Sequence, residues 1–80
     1  MQLKEAELLF HANALEIPII QKTASGNDWI VTLNGAHQLK SELEIQRAGI
    51  RIFKRLDVAV GVLFEVGFEE IKIVKLRKKI

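Results

Sequence analysis

Apolar side chains near the start of the chain recur at the spacing of an α-helix. Leu3, Ala6 and Leu9 follow one another at intervals of three residues, and most residues from Gln2 to Leu15 are strong helix formers. This pattern predicts a first helix of about 12 to 13 residues within that range. Pro18 ends the pattern, because a proline disfavours helical geometry at the residue before it.

Strand-like segments follow the first helix. Residues from Ile17 to Lys22 predict a short strand at a sheet edge, where the missing N–H of Pro18 does least harm. A cluster of small and polar turn residues separates it from a strand over Trp29 to Leu33, so these two strands are expected to form a hairpin. Asn34-Gly35 then predicts a type I′ turn that leads into a third strand around Ala36 to Glu44.

The hydrophobic period changes from strand to helix in the second half of the chain. Residues 41–49 fit a bulged strand followed by a turn, or a short helical turn, and we favour the strand. Ile50 to Lys54 alternates as a strand, and an apolar stripe then predicts a helix from Leu56 to Val66. Asp57 is placed to accept N–H groups at the start of this helix, and Gly67 is placed to end it.

The order of these elements predicts an α+β fold, with a small antiparallel or mixed β-sheet of about four to five strands and two helices packed on one face. A last strand from Glu69 to Lys75 completes the sheet. We expect residues 1–80 to form one domain. If the other sheet face exposed Trp29 and Phe53, it would be the natural dimer or partner surface. The competing interpretation places both aromatic residues in the core.

A chain of 80 residues leaves much of its surface exposed, and self-association is one common source of further stability. We therefore expect a homodimer. The sequence contains no cysteine, which excludes disulfides and thiolate zinc sites. The first residues lack the apolar core of a signal peptide, and the longest uncharged apolar run, Val58 to Phe64, is far shorter than the roughly 20 residues of a membrane span. These features predict a cytoplasmic protein with no membrane partner.

The charges are distributed unevenly along the chain. Residues 1–39 contain two Lys or Arg against four Asp or Glu, whereas residues 40–80 contain ten against six. Such asymmetry permits contact with an acidic protein or with nucleic-acid phosphates. The competing interpretation is a solvated edge strand whose lysines discourage aggregation. Five of the positive charges fall in the last nine residues: Lys72, Lys75, Arg77, Lys78 and Lys79.

Residues suited to catalysis or metal binding are few. His11 and His37 are the side chains that titrate near neutral pH, and neither is accompanied by a set of ligands. No serine or threonine lies in a nucleophile elbow, and the glycines form no phosphate-binding loop. We therefore expect a protein that is not an enzyme and that uses no cofactor and no metal.

A group of basic residues lies around the predicted strand before the second helix. If residues 50–55 are a strand, Arg51, Phe53 and Arg55 share one face, and Lys54 lies on the other. Arginine beside an exposed aromatic ring is a workable platform for bases and phosphates. Phe53 in the core is the competing interpretation, which we favour because Phe53 immediately precedes the second helix.

The same region contains the string Arg47-Ala48-Gly49-Ile50-Arg51-Ile52-Phe53-Lys54-Arg55-Leu56-Asp57-Val58-Ala59, followed by Leu63 and Gly67-Phe68. This string, behind a helix and a hairpin, resembles the second half of the ParC-family partition-associated proteins, which are small proteins encoded on plasmids. The resemblance implies a non-enzymatic accessory protein encoded beside a partition ATPase and its DNA-binding adaptor. It also implies contact roles for Arg47, Arg51 and Lys54, which match the basic positions of the family pattern.

The sequence leaves two functional hypotheses. The first is a protein-interaction module that acts in plasmid partition or maintenance, with partition proteins or another protein as its partner. The alternative is a small nucleic-acid-binding regulator with a basic surface from Arg51, Arg55 and the C-terminal lysines. The candidate contact residues under the two hypotheses are Arg47, Arg51, Lys54, Arg55, Lys75, Arg77, Lys78 and Lys79.

Overall fold

The computed structural model describes residues 1–23, 26–44 and 49–74. The predicted contact residues Arg47, Lys75, Arg77, Lys78 and Lys79 lie outside these ranges. The elements in chain order are helix α1 (Leu3–His11), strands β1 (Ile19–Lys22) and β2 (Trp29–Asn34), a short 3-10 turn (Ala36–Gln38), strand β3 (Lys40–Glu42), helix α2 (Leu56–Val66) and strand β4 (Lys72–Val74).

The four strands form one mixed sheet in the order β3-β2-β1-β4. Strand β2 is antiparallel to both β1 and β3, and β4 is parallel to β1. Helix α2 packs on β2, and α1 packs on α2. The α+β prediction, with a mixed sheet and two helices, is therefore confirmed.

The core lies between the sheet and the two helices. Val31 and Leu33 of β2 and Ile20 of β1 are fully buried, and Thr32, between Val31 and Leu33, is buried as well. Leu63 of α2 and Ala6 of α1 cover them from the helix side. Trp29 and Phe53 are buried in the same core, so their proposed role as an exposed partner surface is wrong, and their interpretation as core residues is confirmed.

The predicted hairpin between β1 and β2 is confirmed, and Ile20 is paired with Val31. The placement of β1 at a sheet edge is wrong, because β1 lies between β2 and β4. Pro18 precedes the strand, so its missing N–H removes no hydrogen bond from the strand itself. Its carbonyl oxygen accepts the N–H of Lys72 at 2.9 Å, which anchors the start of β4.

The turn between β2 and β3 lies further along the chain than Asn34-Gly35. Strand β2 continues through Asn34, and Gly35 has extended geometry with a φ of −157°. His37 and Gln38 have φ values of 60° and 64°, and the Leu39 N–H donates to the Ala36 carbonyl oxygen at 3.2 Å. Two successive positive φ values are typical of a type I′ turn. The turn type is therefore the expected one, at His37-Gln38.

Both helices end in the same hydrogen-bonded motif. Asn13 and Gly67 have positive φ values of 59° and 128°. The Ala14 N–H donates to the Leu9 carbonyl oxygen at 2.9 Å, and the Phe68 N–H donates to the Leu63 carbonyl oxygen at 3.2 Å. These are the bonds of Schellman motifs. The predicted end of α2 at Gly67 is confirmed, whereas α1 ends at His11, earlier than predicted, because Asn13 reverses the chain.

Two predictions about the start of α2 are wrong. Ile50 and Phe53 form isolated bridges, to Glu44 and Trp29, rather than a strand over residues 50–54. Asp57 lies inside the first turn of α2, where its carboxylate pairs with the guanidinium of Arg55, so it is not the residue that caps the backbone.

Candidate interaction surfaces

Arg51 lies against the core rather than on an open platform. Its guanidinium carbon is 4.7 Å from the centroid of the Phe53 ring. Phe53 is buried and exchanges two backbone hydrogen bonds with Trp29, each of 2.8 Å. The Phe53 ring is therefore not available for stacking on a nucleic-acid base. Arg51 gains a cation–π contact that typically contributes about 0.5–1 kcal/mol at an exposed site.

Lys54 and Arg55 are exposed, and both are paired with carboxylates. Lys54 Nζ lies 3.3 Å from Asp28 Oδ1, and the Lys54 side chain is 82% exposed. Arg55 donates from Nε and Nη2 to the two carboxylate oxygens of Asp57 at 3.1 and 2.8 Å, with 73% of its side chain exposed. Exposed ion pairs contribute about 0–1 kcal/mol, so a phosphate can compete with either carboxylate.

A second surface lies on the side of α2 that faces away from the sheet. Val58, Gly61 and Phe64 lie on this side, and we name them the α2 outer face. Val58 is 44% exposed and Phe64 is 56% exposed. Asp57 and Glu65, four residues before and after Gly61, lie on the same side and are the only charged residues in the helix sequence. The sequence itself pointed to this surface, because α2 has apolar residues nearly all round and such a helix is usually covered on all sides.

A third surface is a groove where the two helices end. Its volume is about 760 Å³. The Phe10 and Phe68 rings meet edge to face in it, with centroids 4.8 Å apart. We name it the acidic groove, because Glu16, Glu69 and Glu70 lie beside its apolar residues. The groove is lined by Phe10, Leu15, Glu16, Ile17, Gly67, Phe68, Glu69 and Glu70.

The two histidines lie on different elements, and the His11 ring meets the Phe10 ring of the acidic groove edge to face, with centroids 5.7 Å apart. His11 Nδ1 is 2.7 Å from the Glu7 carbonyl oxygen in the last turn of α1, and His37 lies in the β2–β3 turn. Within residues 1–23, 26–44 and 49–74, no group of three His, Cys, Asp or Glu side chains is arranged to hold a metal ion. In the same ranges, no helix has the length and apolar character needed to cross a membrane.

No family model, no curated protein and no solved structure matches this chain.

Proposed function

We propose that this chain is a non-enzymatic protein-interaction module and that the α2 outer face is its contact surface. The observation on which this proposal depends is the exposure of Val58 and Phe64 on a helix with so few charges. Burying a large apolar side chain contributes about 1.5–3 kcal/mol, so a partner that covers both residues gains a large favourable term. Apolar residues surrounded by charged ones are typical of protein-binding sites.

Gly61, at the centre of the α2 outer face, supports the same proposal. A glycine inside a helix is less favourable than alanine by about 0.5–1 kcal/mol. Apart from Gly61, its two chain neighbours and the adjacent backbone of α2, no atom of the described chain lies within 4 Å of the position that a Cβ on Gly61 would take. The fold itself therefore gives no steric reason for a glycine at this position. A partner backbone that approaches α2 closely between Val58 and Phe64 would provide one.

The partner that we propose is a protein of plasmid partition or maintenance, in the cytoplasm. The support for this part is the resemblance of residues 47–68 to the ParC-family partition-associated proteins. The genes beside the coding sequence provide an inexpensive check, because a neighbouring partition ATPase gene would favour this partner.

The proposal predicts a specific cross-link from the α2 outer face. A photoreactive amino acid in place of Phe64 is expected to give one discrete adduct in cells that express the chain, and mass spectrometry is expected to identify a partition protein in it. The matched control carries the same photoreactive residue at Lys4, an exposed position on α1. The proposal fails if position 64 gives no adduct, or if positions 4 and 64 give the same adducts.

Nucleic-acid binding is the second candidate function, and the exposure of Lys54 and Arg55 favours it. These two adjacent cations lie at the start of α2, where backbone N–H groups also favour an anion. If they contact phosphates, the slope of the logarithm of the binding constant against the logarithm of salt concentration should fall by about one unit for each cation removed.

A titration with double-stranded and single-stranded DNA tests this candidate. Lys54→Ala and Arg55→Ala are each expected to weaken binding and to flatten the salt dependence by about one unit. Lys4→Ala, on the exposed side of α1, is the control and should leave the slope unchanged. Binding that is absent at low salt, or that is equally reduced by all three substitutions, would exclude Lys54 and Arg55 as phosphate contacts.

A further inference from the structure

The acidic groove combines an apolar floor with negative charge from two sources. Glu16, Glu69 and Glu70 are exposed carboxylates at its border. Among the described residues, none of the three forms an ion pair; the described pairs involve Asp28, Glu44 and Asp57. The carboxylates are therefore not neutralised by a cation of the described chain.

The helix ends provide the second source of negative charge. The groove is lined by Phe10 from the last turn of α1 and by Gly67 and Phe68, which directly follow α2. The C-terminus of a helix is equivalent to about −0.5 elementary charge. The last turn of α2, all of which is described, contains no basic residue to offset it. A ligand of this groove should therefore be cationic, with apolar groups that cover Phe10 and Phe68.

The chain itself contains a segment of this chemistry. Residues 75–80 read Lys-Leu-Arg-Lys-Lys-Ile, with four cations and two large apolar side chains. We propose that the acidic groove binds this basic segment from a second copy of the chain. The site is separate from the α2 outer face and does not depend on the function proposed for that face.

The direction of β4 favours a second copy over the same copy. The groove lies at the start of β4. Its residues Gly67 to Glu70 precede β4 in the chain, and its residues Leu15 to Ile17 directly precede Pro18, which is hydrogen-bonded to the first residue of β4. Strand β4 therefore leads the chain away from the groove by about 10 Å. Five residues span at most about 17 Å when extended. To reach the groove of its own copy, the chain after β4 would have to reverse direction and run back along β4. That path would use much of the roughly 17 Å that residues 75–79 can span.

Exchange of this segment between two copies gives a symmetric dimer. Each copy contributes one groove and one basic segment, so the same contact is made twice around a two-fold axis. The dimer expected from the small size of the domain thereby acquires a definite interface. The interface is also electrostatic, so it should weaken as salt concentration rises.

The test uses two complementary charge reversals in the chain of residues 1–80. One variant carries Glu69→Lys and Glu70→Lys in the groove, and the other carries Lys75→Glu, Arg77→Glu, Lys78→Glu and Lys79→Glu in the basic segment, so that all four of its cations are reversed. In each homodimer the groove then meets a segment of its own sign, and dissociation constants from analytical ultracentrifugation should rise at least about tenfold. In the mixture, both contacts of the heterodimer join opposite charges, so an equimolar mixture is expected to recover the wild-type affinity to within about threefold.

A control reverses two carboxylates of α1 that lie outside both the groove and the α2 outer face, through Glu5→Lys and Glu7→Lys, and should leave the dissociation constant within about threefold of wild type. A wild-type protein that stays monomeric at low salt would overturn the proposal. A mixture that does not dimerise would also overturn it, since binding of the segment to its own chain gives no heterodimer. Equal loss of the dimer in the control and in the groove variant would also overturn it, because the change in total charge rather than the groove would then explain both results.

Discussion

Replacing Leu63 by alanine is expected to lower the free energy of unfolding by about 3 kcal/mol. Leu63 is 1% exposed and lies on the side of α2 that faces Val31 and Leu33 of the sheet. The substitution removes buried apolar atoms and leaves a cavity, because α2 is fixed at its end by the Gly67 turn and cannot collapse freely onto the sheet. Domains of this size have total stabilities of about 5–15 kcal/mol, so the variant should be partly unfolded under mild conditions.

Urea denaturation followed by circular dichroism measures this loss as a shift of the midpoint. Leu8→Ala is the matched control, because it makes the same chemical change on α1 at a side chain that is 69% exposed. It should change the free energy of unfolding by less than about 0.5 kcal/mol. Equal losses in the two variants would mean that α2 does not cover the sheet in solution.

Local sequence patterns were sufficient to predict helix α2 and the β1–β2 hairpin. The bounds of α2 at Leu56 and Val66 follow from an apolar stripe with a helical period and from a glycine that ends it. The β1–β2 hairpin follows from two alternating segments separated by turn residues. The parallel pairing of β1 with β4 was not predictable in this way. Ile19 pairs with Lys72, far away in sequence, and such a pairing is decided by packing of the whole domain.

The contact surfaces were less predictable than the fold, for a related reason. Basic residues can be counted in a sequence, but the Asp28 carboxylate beside Lys54 and the buried ring beneath Arg51 are tertiary contacts. The acidic groove brings residues 10–17 together with residues 67–70. The α2 outer face, in contrast, could have been predicted, because the apolar residues around α2 are visible in the sequence. The apolar stripe from which the helix was predicted contains five of its eight apolar residues, and one of the five, Phe64, is exposed on the outer face.

Replacing Gly35 by alanine is expected to lower the free energy of unfolding by about 2–3 kcal/mol, because the chain passes very close to Gly35. A Cβ at this position would collide with the carbonyl oxygen of Ala14, a backbone atom that cannot rotate away. That oxygen also accepts the Ala36 N–H at 3.2 Å, and the neighbouring Glu16 N–H donates to the Asn34 carbonyl oxygen at 2.7 Å. To admit a methyl group, the segment after α1 must separate from the end of β2, which weakens both hydrogen bonds.

Gly61→Ala provides the matched control for Gly35→Ala, since both replace a glycine by alanine. Open space surrounds Gly61, and its helical position favours alanine, so this variant should raise the free energy of unfolding by about 0.5–1 kcal/mol. Urea denaturation of both variants at low protein concentration is the measurement. A neutral Gly35→Ala would show that the contact between Ala14 and Gly35 is not tight in solution. A destabilising Gly61→Ala would give that glycine a role in the fold, and would remove its support for a partner on the α2 outer face.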